Sequence, residues 1–208
     1  MADDLLTRVL AATRLIHAAG LDERAWPEAL AALARVLGGH TASLLVWTPA
    51  GIENLLVAHN IDPTLLQDYR QHYAALDPFN ATQHGRPPGS INLTQDLIDD
   101  QTFTRTEFYA DFWRRVGIHY AIGVELERSE RSLVMTAIHR AAGRPSFAPS
   151  EVELFRQLGE QLRLALRQRQ LLGSQAAVAA VVDGLRLAVI LTDDAGRVAW
   201  ANAGRTRL

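Results

Sequence analysis

The chain has 208 residues, 48% of them hydrophobic and 21% charged, with a formal net charge of −2. That length holds one domain of about 150 residues with long helical flanks or part of a second. That composition is one of a soluble globular protein, neither a disordered tail nor a polyanion binder. All 21 basic residues are arginine, a pattern read as coding bias and not as a phosphate-binding stripe. Cysteine is absent, which excludes disulfides, thiolate metal sites, cysteine nucleophiles and thioether-linked chromophores. No run of 18 apolar residues and no basic-then-apolar leader occurs, so a cytoplasmic location and no membrane partner are expected.

In chain order, Leu5, Leu6, Val9, Leu10, Thr13 and Ile16 recur at helical spacing, and Trp26 to Leu37 follows with Leu30, Leu33 and Leu37 on one stripe. Gly38-Gly39 stops the second helix. Thr41 to Trp47 and Ile52 to Ala58 then read as a β-hairpin about a Pro49-Ala-Gly51 turn. Asp62-Pro63 is a helix start, an N-cap acceptor followed by proline, and the helix carries Leu66, Tyr69, Tyr73 and Leu76 before ending near Asp77-Pro78. Residues 80–90, broken by Gly85, Pro87, Pro88 and Gly89, predict a mobile surface loop of the kind that covers pockets. Thr104 and Glu107 have capping-box spacing ahead of a helix that sets Phe108, Phe112 and Val116 on one side and Tyr109 and Trp113 beside them.

Tyr120, Ile122, Val124 and Leu126 alternate with Ala121, Gly123, Glu125 and Glu127, which predicts a strand with one buried and one partly buried face. Leu133 to Arg140 is apolar on both faces and predicts a central strand, paired antiparallel with its predecessor across the turn at 128–131. From Pro149 a long helix aligns Val152, Phe155, Leu158, Leu162, Leu166 and Leu172, with Arg156, Arg163 and Arg167 opposite, a seam suited to a helix interface. The fold class implied is α+β: a GAF/PAS-like antiparallel sheet flanked by helices, with a long C-terminal signalling helix.

The blocks Tyr69-x3-Tyr73-x3-Asp77-Pro78, Thr106-Glu-Phe-Tyr109-x-Asp-Phe112 and Gly117-Ile-His-Tyr120-Ala-Ile-Gly resemble the N-terminal sensor regions of LuxR-type helix-turn-helix regulators, over residues 5–172. Gly184 to Asn202 resembles the opening of a PAS domain. The expected organisation is a sensor domain over 1–172 and the start of a second, truncated PAS-like domain over 173–208, with no DNA-binding domain present. A fragment of that size cannot bury a core of its own. The resemblance implies a small organic ligand, a homodimer, transcription regulation, and DNA contact only through a C-terminal helix-turn-helix that these residues do not include.

The candidate ligand-binding residues are Tyr69, Tyr73, Asp77, Phe108 and Trp113, an apolar wall with a few polar groups. In the acyl-homoserine-lactone receptors that the tyrosine block resembles, the aspartate accepts a hydrogen bond from the ligand amide and the aromatics wall the acyl chain. Those receptors carry a further tryptophan where this helix has Tyr69, Arg70, Gln71 and His72. The alternatives are plain: an Asp-Pro pair also makes turns, and tyrosines at i and i+4, like Trp113 and Phe108, also serve as core. No catalytic motif, cofactor or metal site is expected; His119 and His139 lack a third ligand and read as structural. The readings are a ligand sensor, a ligandless dimerisation or protein-interaction module filled by its own aromatics, and an enzyme with an unrecognised site. A cavity of a few hundred cubic ångströms is the mark of the first.

Overall fold

The computed structural model describes residues 2–48, 51–79, 89–130, 132–183, 190–195 and 197–201. They form two compact units, Met1–Ala165 and Leu166–Leu208. In the first, α1 (Ala2–Leu21) and α2 (Trp26–Val36) precede β1 (Thr41–Thr48) and β2 (Gly51–His59). Next come α3 (Pro63–Asp68), a wide-turn segment Tyr69–Tyr73, and α4 (Ala74–Leu76) as one run. Then follow β3 (Ile91–Leu93), α5 (Thr94–Leu97), α6 (Asp100–Phe103), a second wide-turn segment Phe108–Trp113 and α7 (Arg114–Val116). β4 (Tyr120–Arg128), β5 (Leu133–Arg140) and α8 (Pro149–Asp183) complete the order. The second unit holds the rest of α8 and a hairpin of β6 (Ile190–Thr192) and β7 (Val198–Ala201), whose turn is tied by Asp193 Oδ1 accepting from the amides of Ala195 and Arg197.

The main sheet has the order β2-β1-β5-β4-β3 with every pair antiparallel. Because strand side chains alternate, Leu44, Ile122, Val124 and Ile138 share one face, which is buried. On that side Gly159 of α8 lies against Val124, and a side chain at Gly39, just after α2, would collide with Ile138. Gly20 of α1 abuts the Ala165 backbone, so a Cβ there would come within 2.9 Å of a carbonyl oxygen. The opposite face carries Ser43, Ala121, Gly123, Ala137 and His139.

The sequence reading holds for the hairpin, the central strand and the long helix. It differs in three places for physical reasons. The buried side of α1 is Ala12, Ile16 and Ala19, while Leu5, Leu6 and Leu10 are exposed, because close helix approach at Gly20 selects small residues. Thr104 closes α6 by donating to the Asp100 carbonyl; Thr106 is the residue whose hydroxyl accepts the Tyr109 amide and starts the next helix. Ser90 leads into β3, a short edge strand that the pattern did not mark, while residues 80–88 of the predicted loop lie outside those described.

Arg140, at the end of β5, joins the layers. Its guanidinium donates to the Leu37 carbonyl at the C-terminus of α2, to the carbonyls of Pro145 and Ser146, and to Glu151 in the first turn of α8. It also lies 4.1 Å from the centroid of the Phe147 ring. Glu151 in turn accepts the Ala148 amide, the returning half of a capping box. Removing one partner of a buried ion pair strands the other groups, so Arg140→Met is expected to lower the unfolding free energy by about 3–5 kcal/mol. Arg156→Met, in an exposed pair with Glu153, should change it by no more than ~0.5 kcal/mol. Urea unfolding at constant denaturant slope checks both.

Candidate ligand-binding site

A cavity of about 110 Å³ lies on the face of the sheet opposite α2 and α8. Its floor exists because the residues crossing that face are small. One row across four strands reads Ser43, Ala137, Gly123, Asn92, each paired with the next. The neighbouring row brings Thr41, His139 and Ala121 together. Thr94 extends that row by accepting the Ala121 amide and donating to the Ala121 carbonyl, which fixes the start of α5 against β4.

The roof is aromatic. Tyr69, Phe103, Phe108, Phe112 and Trp113 are all buried and pack as one cluster with Val116 and Ile118. Tyr69 and Tyr73 both stack on Phe112, at 5.2 and 5.0 Å between centroids. Trp113 meets Phe103 edge-on at 4.9 Å and Phe79 at 5.4 Å. Such pairs add about 0.5–1.5 kcal/mol each beyond area burial. Both facing helices widen to i→i+5 hydrogen bonding where they meet, over Tyr69–Tyr73 and Phe108–Trp113. Wide turns of this kind occur frequently at functional sites. A chain of short contacts holds the second one to β4: Asp100 bonds His119 Nε2 at 2.7 Å, and His119 Nδ1 bonds the Tyr109 hydroxyl at 2.7 Å.

Two titratable groups line the cavity from opposite layers. Asp77 ends α4 in an extended conformation, as the following proline requires. Its Oδ1 accepts the Phe79 amide at 2.9 Å and its Oδ2 accepts the Tyr69 hydroxyl at 2.7 Å. Burial raises its pKa to about 6, and these two hydrogen bonds only partly counter the shift. His139, on β5, shares a 2.8 Å bond between Nδ1 and the Thr41 hydroxyl and lies edge-on to Trp113 at 6.0 Å. Burial lowers its pKa to about 4, so it is neutral at physiological pH.

Of the residues expected from sequence, Tyr69, Asp77, Phe108 and Trp113 line the cavity, while Tyr73 packs behind them on Phe112 and His72. Asp77 combines two of the readings open at the sequence level, since it forms the Asx turn with Phe79 and also faces the cavity. The floor residues Ser43, Gly123, Ala137 and His139 were not anticipated. Their signal was present in the strand 120–126, where Ala121 and Gly123 alternate with large apolar residues. His119 and His139 belong to separate networks, and no group of three metal-ligating side chains occurs among the described residues. The cavity is smaller than a few hundred cubic ångströms because the roof rings occupy part of the space.

No protein-family model matches the chain, and no curated protein matches it. Solved structures do. The LBD domain of VqsR from Pseudomonas aeruginosa is similar at TM-score 0.58 and 17% identity, over 80% of this chain and 94% of that one. CepR2 of Burkholderia cenocepacia, an N-acylhomoserine lactone dependent LuxR family transcription factor, is similar at TM-score 0.56 and 18% identity, over 81% and 98%. A domain of a two-component sensor histidine kinase protein from Sinorhizobium meliloti 1021 follows at TM-score 0.54 and 14% identity, over 74% and 96%. The chain therefore has a GAF/PAS-like α+β fold, shared with the VqsR LBD domain and with the LuxR-family factor CepR2. At these identities the likeness establishes the fold.

The two cavity-lining groups give opposite pH dependences. Asp77 has a folded pKa of about 6, above its ordinary 3.8, so its contribution to stability is present below 3.8 and lost as pH rises through 6. His139 has a folded pKa of about 4, below its ordinary 6.5, so its contribution is present above 6.5 and lost as pH falls through 4. Between about pH 4 and 6 they offset each other. Asp77→Asn should therefore steepen the rise of stability with pH across that window, and His139→Gln should tilt it toward a fall. Urea midpoints measured through the window decide the signs.

Proposed function

We propose that this chain is the small-molecule-sensing and dimerising region of a bacterial LuxR-type transcriptional regulator. The single observation that carries this is the aromatic-roofed cavity over Asp77, in a fold whose neighbours include LuxR-family ligand-binding regions. The ligand is a compact organic molecule, since an engineered apolar cavity of about 150 Å³ holds one benzene. It donates a hydrogen bond to Asp77, in competition with the Tyr69 hydroxyl. The exposed Leu5, Leu6 and Leu10 of α1 support a homodimer, whose burial of that stripe removes them from water. Output passes through the helix that starts at Pro149, provided the ligand prefers one packing arrangement over the other. The hairpin of β6 and β7 is the start of a PAS-like segment, and DNA is reached through a helix-turn-helix elsewhere in the regulator. The protein is cytoplasmic and is not an enzyme; no helix among the described residues is long and apolar enough to cross a membrane.

A second reading has its own observation. Tyr69 already satisfies one oxygen of Asp77 and the rings stack on one another, as a ligandless interaction module filled by its own side chains requires. Mass spectrometry of the purified chain under native and then denaturing conditions separates the two. A small molecule released on unfolding, together with a dimer mass, is the sensor's result; a dimer that carries nothing and responds to no compound in a metabolite thermal-shift screen is the module's. Ala137→Leu, which adds three carbons over the floor, is expected to raise the unfolding free energy by about 1–2 kcal/mol by filling the void and to abolish binding of any compound found.

A further inference from the structure

The cavity has polar groups on its floor that nothing among the described residues uses. Ser43 is 5% exposed and lines the cavity, yet its hydroxyl has no hydrogen-bond partner among the described residues. His139 bonds through Nδ1 alone, which leaves Nε2 without a partner among them. Neither atom is sealed off, since among the described residues the fully buried side-chain atoms without a partner are Trp26 Nε1 and Ser146 Oγ, so both keep hydrogen-bonding capacity for what enters the cavity they line. The two lie diagonally on one face of the sheet, since Ser43 is opposite Ala137 and His139 is two residues further along β5. Diagonal neighbours of this kind have Cβ atoms about 7–8 Å apart at most, within reach of one small ligand.

We infer that Ser43 and His139 form a second recognition edge, opposite Asp77, and that the ligand is a single-ring aromatic compound with hydrogen-bonding groups on two separate edges. This rests on the sensor reading above and specifies its ligand class. One edge donates to Asp77, which as a carboxylate only accepts. The other meets a hydroxyl and a neutral imidazole, which between them both donate and accept, and so suits a hydroxyl or a carboxamide. Ring stacking on the roof holds the plane between the two edges. An anionic ligand is disfavoured, because among the described residues Asp77 is the one formally charged group on the lining and no arginine lines it. An extended acyl chain does not fit about 110 Å³.

Titration of the purified chain with toluene, phenol and the three benzenediols tests this, with affinities read by NMR and by thermal shift. At least one benzenediol is expected to bind about five- to tenfold more tightly than phenol, the margin of one good hydrogen bond. His139→Leu and Ser43→Ala should each reduce the ratio of benzenediol to phenol affinity, read within the same variant so that any change in phenol binding cancels. The imidazole nitrogen resonances of the unmutated chain give a reading independent of how well the variants fold: the His139 signal should move with the benzenediol and stay in place with phenol. A margin that is absent, or that survives both substitutions, overturns the Ser43–His139 edge and leaves the sensor reading standing. If none of the five compounds binds, the single-ring ligand class and the Ser43–His139 edge fall, while the sensor reading is decided separately by whether a small molecule is released on unfolding.

Discussion

The fold turns on the Arg140 guanidinium. It is buried, and it closes three boundaries at once: the C-terminus of α2, the connection at Pro145 and Ser146, and the first turn of α8. A buried cation is tolerable only when its donors are satisfied, and here carbonyl oxygens do most of that work while Glu151 supplies the opposite charge. Carbonyls at the end of α2 suit a cation because they are the negative end of the helix dipole. Gly38, at φ +60, turns the chain just there and keeps a side chain away from the guanidinium. The positions of α2 and α8 over the sheet thus share one anchor, with the apolar face of the sheet packed beneath them.

The other face of the sheet is shaped by what it lacks. Small residues at 121, 123 and 137 leave a depression that the aromatic roof bridges without filling. The roof is a set of rings contributed by two facing helices, each widened by a π turn, and pinned at its edge by the chain from Asp100 through His119 to Tyr109. Within this apolar setting Asp77 and His139 both titrate away from their ordinary ranges, and for the same cause, desolvation, acting on groups whose charged forms have opposite sign. Clustered perturbation of this sort is a feature of working sites as well as of structural networks.

Much of the fold was legible in sequence because it rests on periodicity. The alternation in 120–126 and the seam from Val152 to Leu162 are local patterns, and the structure follows them. What was not legible depends on distant partners. The exposed Leu5, Leu6 and Leu10 look like core by spacing, but the close approach of Gly20 to Ala165 assigns the buried side of α1 to alanines and Ile16. The π turns have no distinctive residue pattern, and β3 is too short to show a period. At the site, the resemblance to LuxR-type sensors drew attention to Tyr69, Asp77, Phe108 and Trp113 on the helical side. The floor was missed because Ser43 and His139 become neighbours only through strand register, with 95 residues of chain between them. Tyr73 was placed with the ligand groups by the resemblance in the tyrosine block, whereas the widened turn sets it behind Phe112.

His139 and Arg140 are consecutive residues on β5, so the pleat sends one side chain to the cavity and the next to the helices. The cavity face and the anchoring face are therefore separated by one peptide plane, a rigid unit about 3.8 Å long. That plane carries the Cα atoms of both residues, so the bases of the imidazole and the guanidinium are placed by the same unit. The guanidinium has little slack, being held by carbonyls from two connections as well as by Glu151. The cavity lining and the start of α8 thus meet across a single peptide bond, with Arg140 reaching Glu151 on the far side.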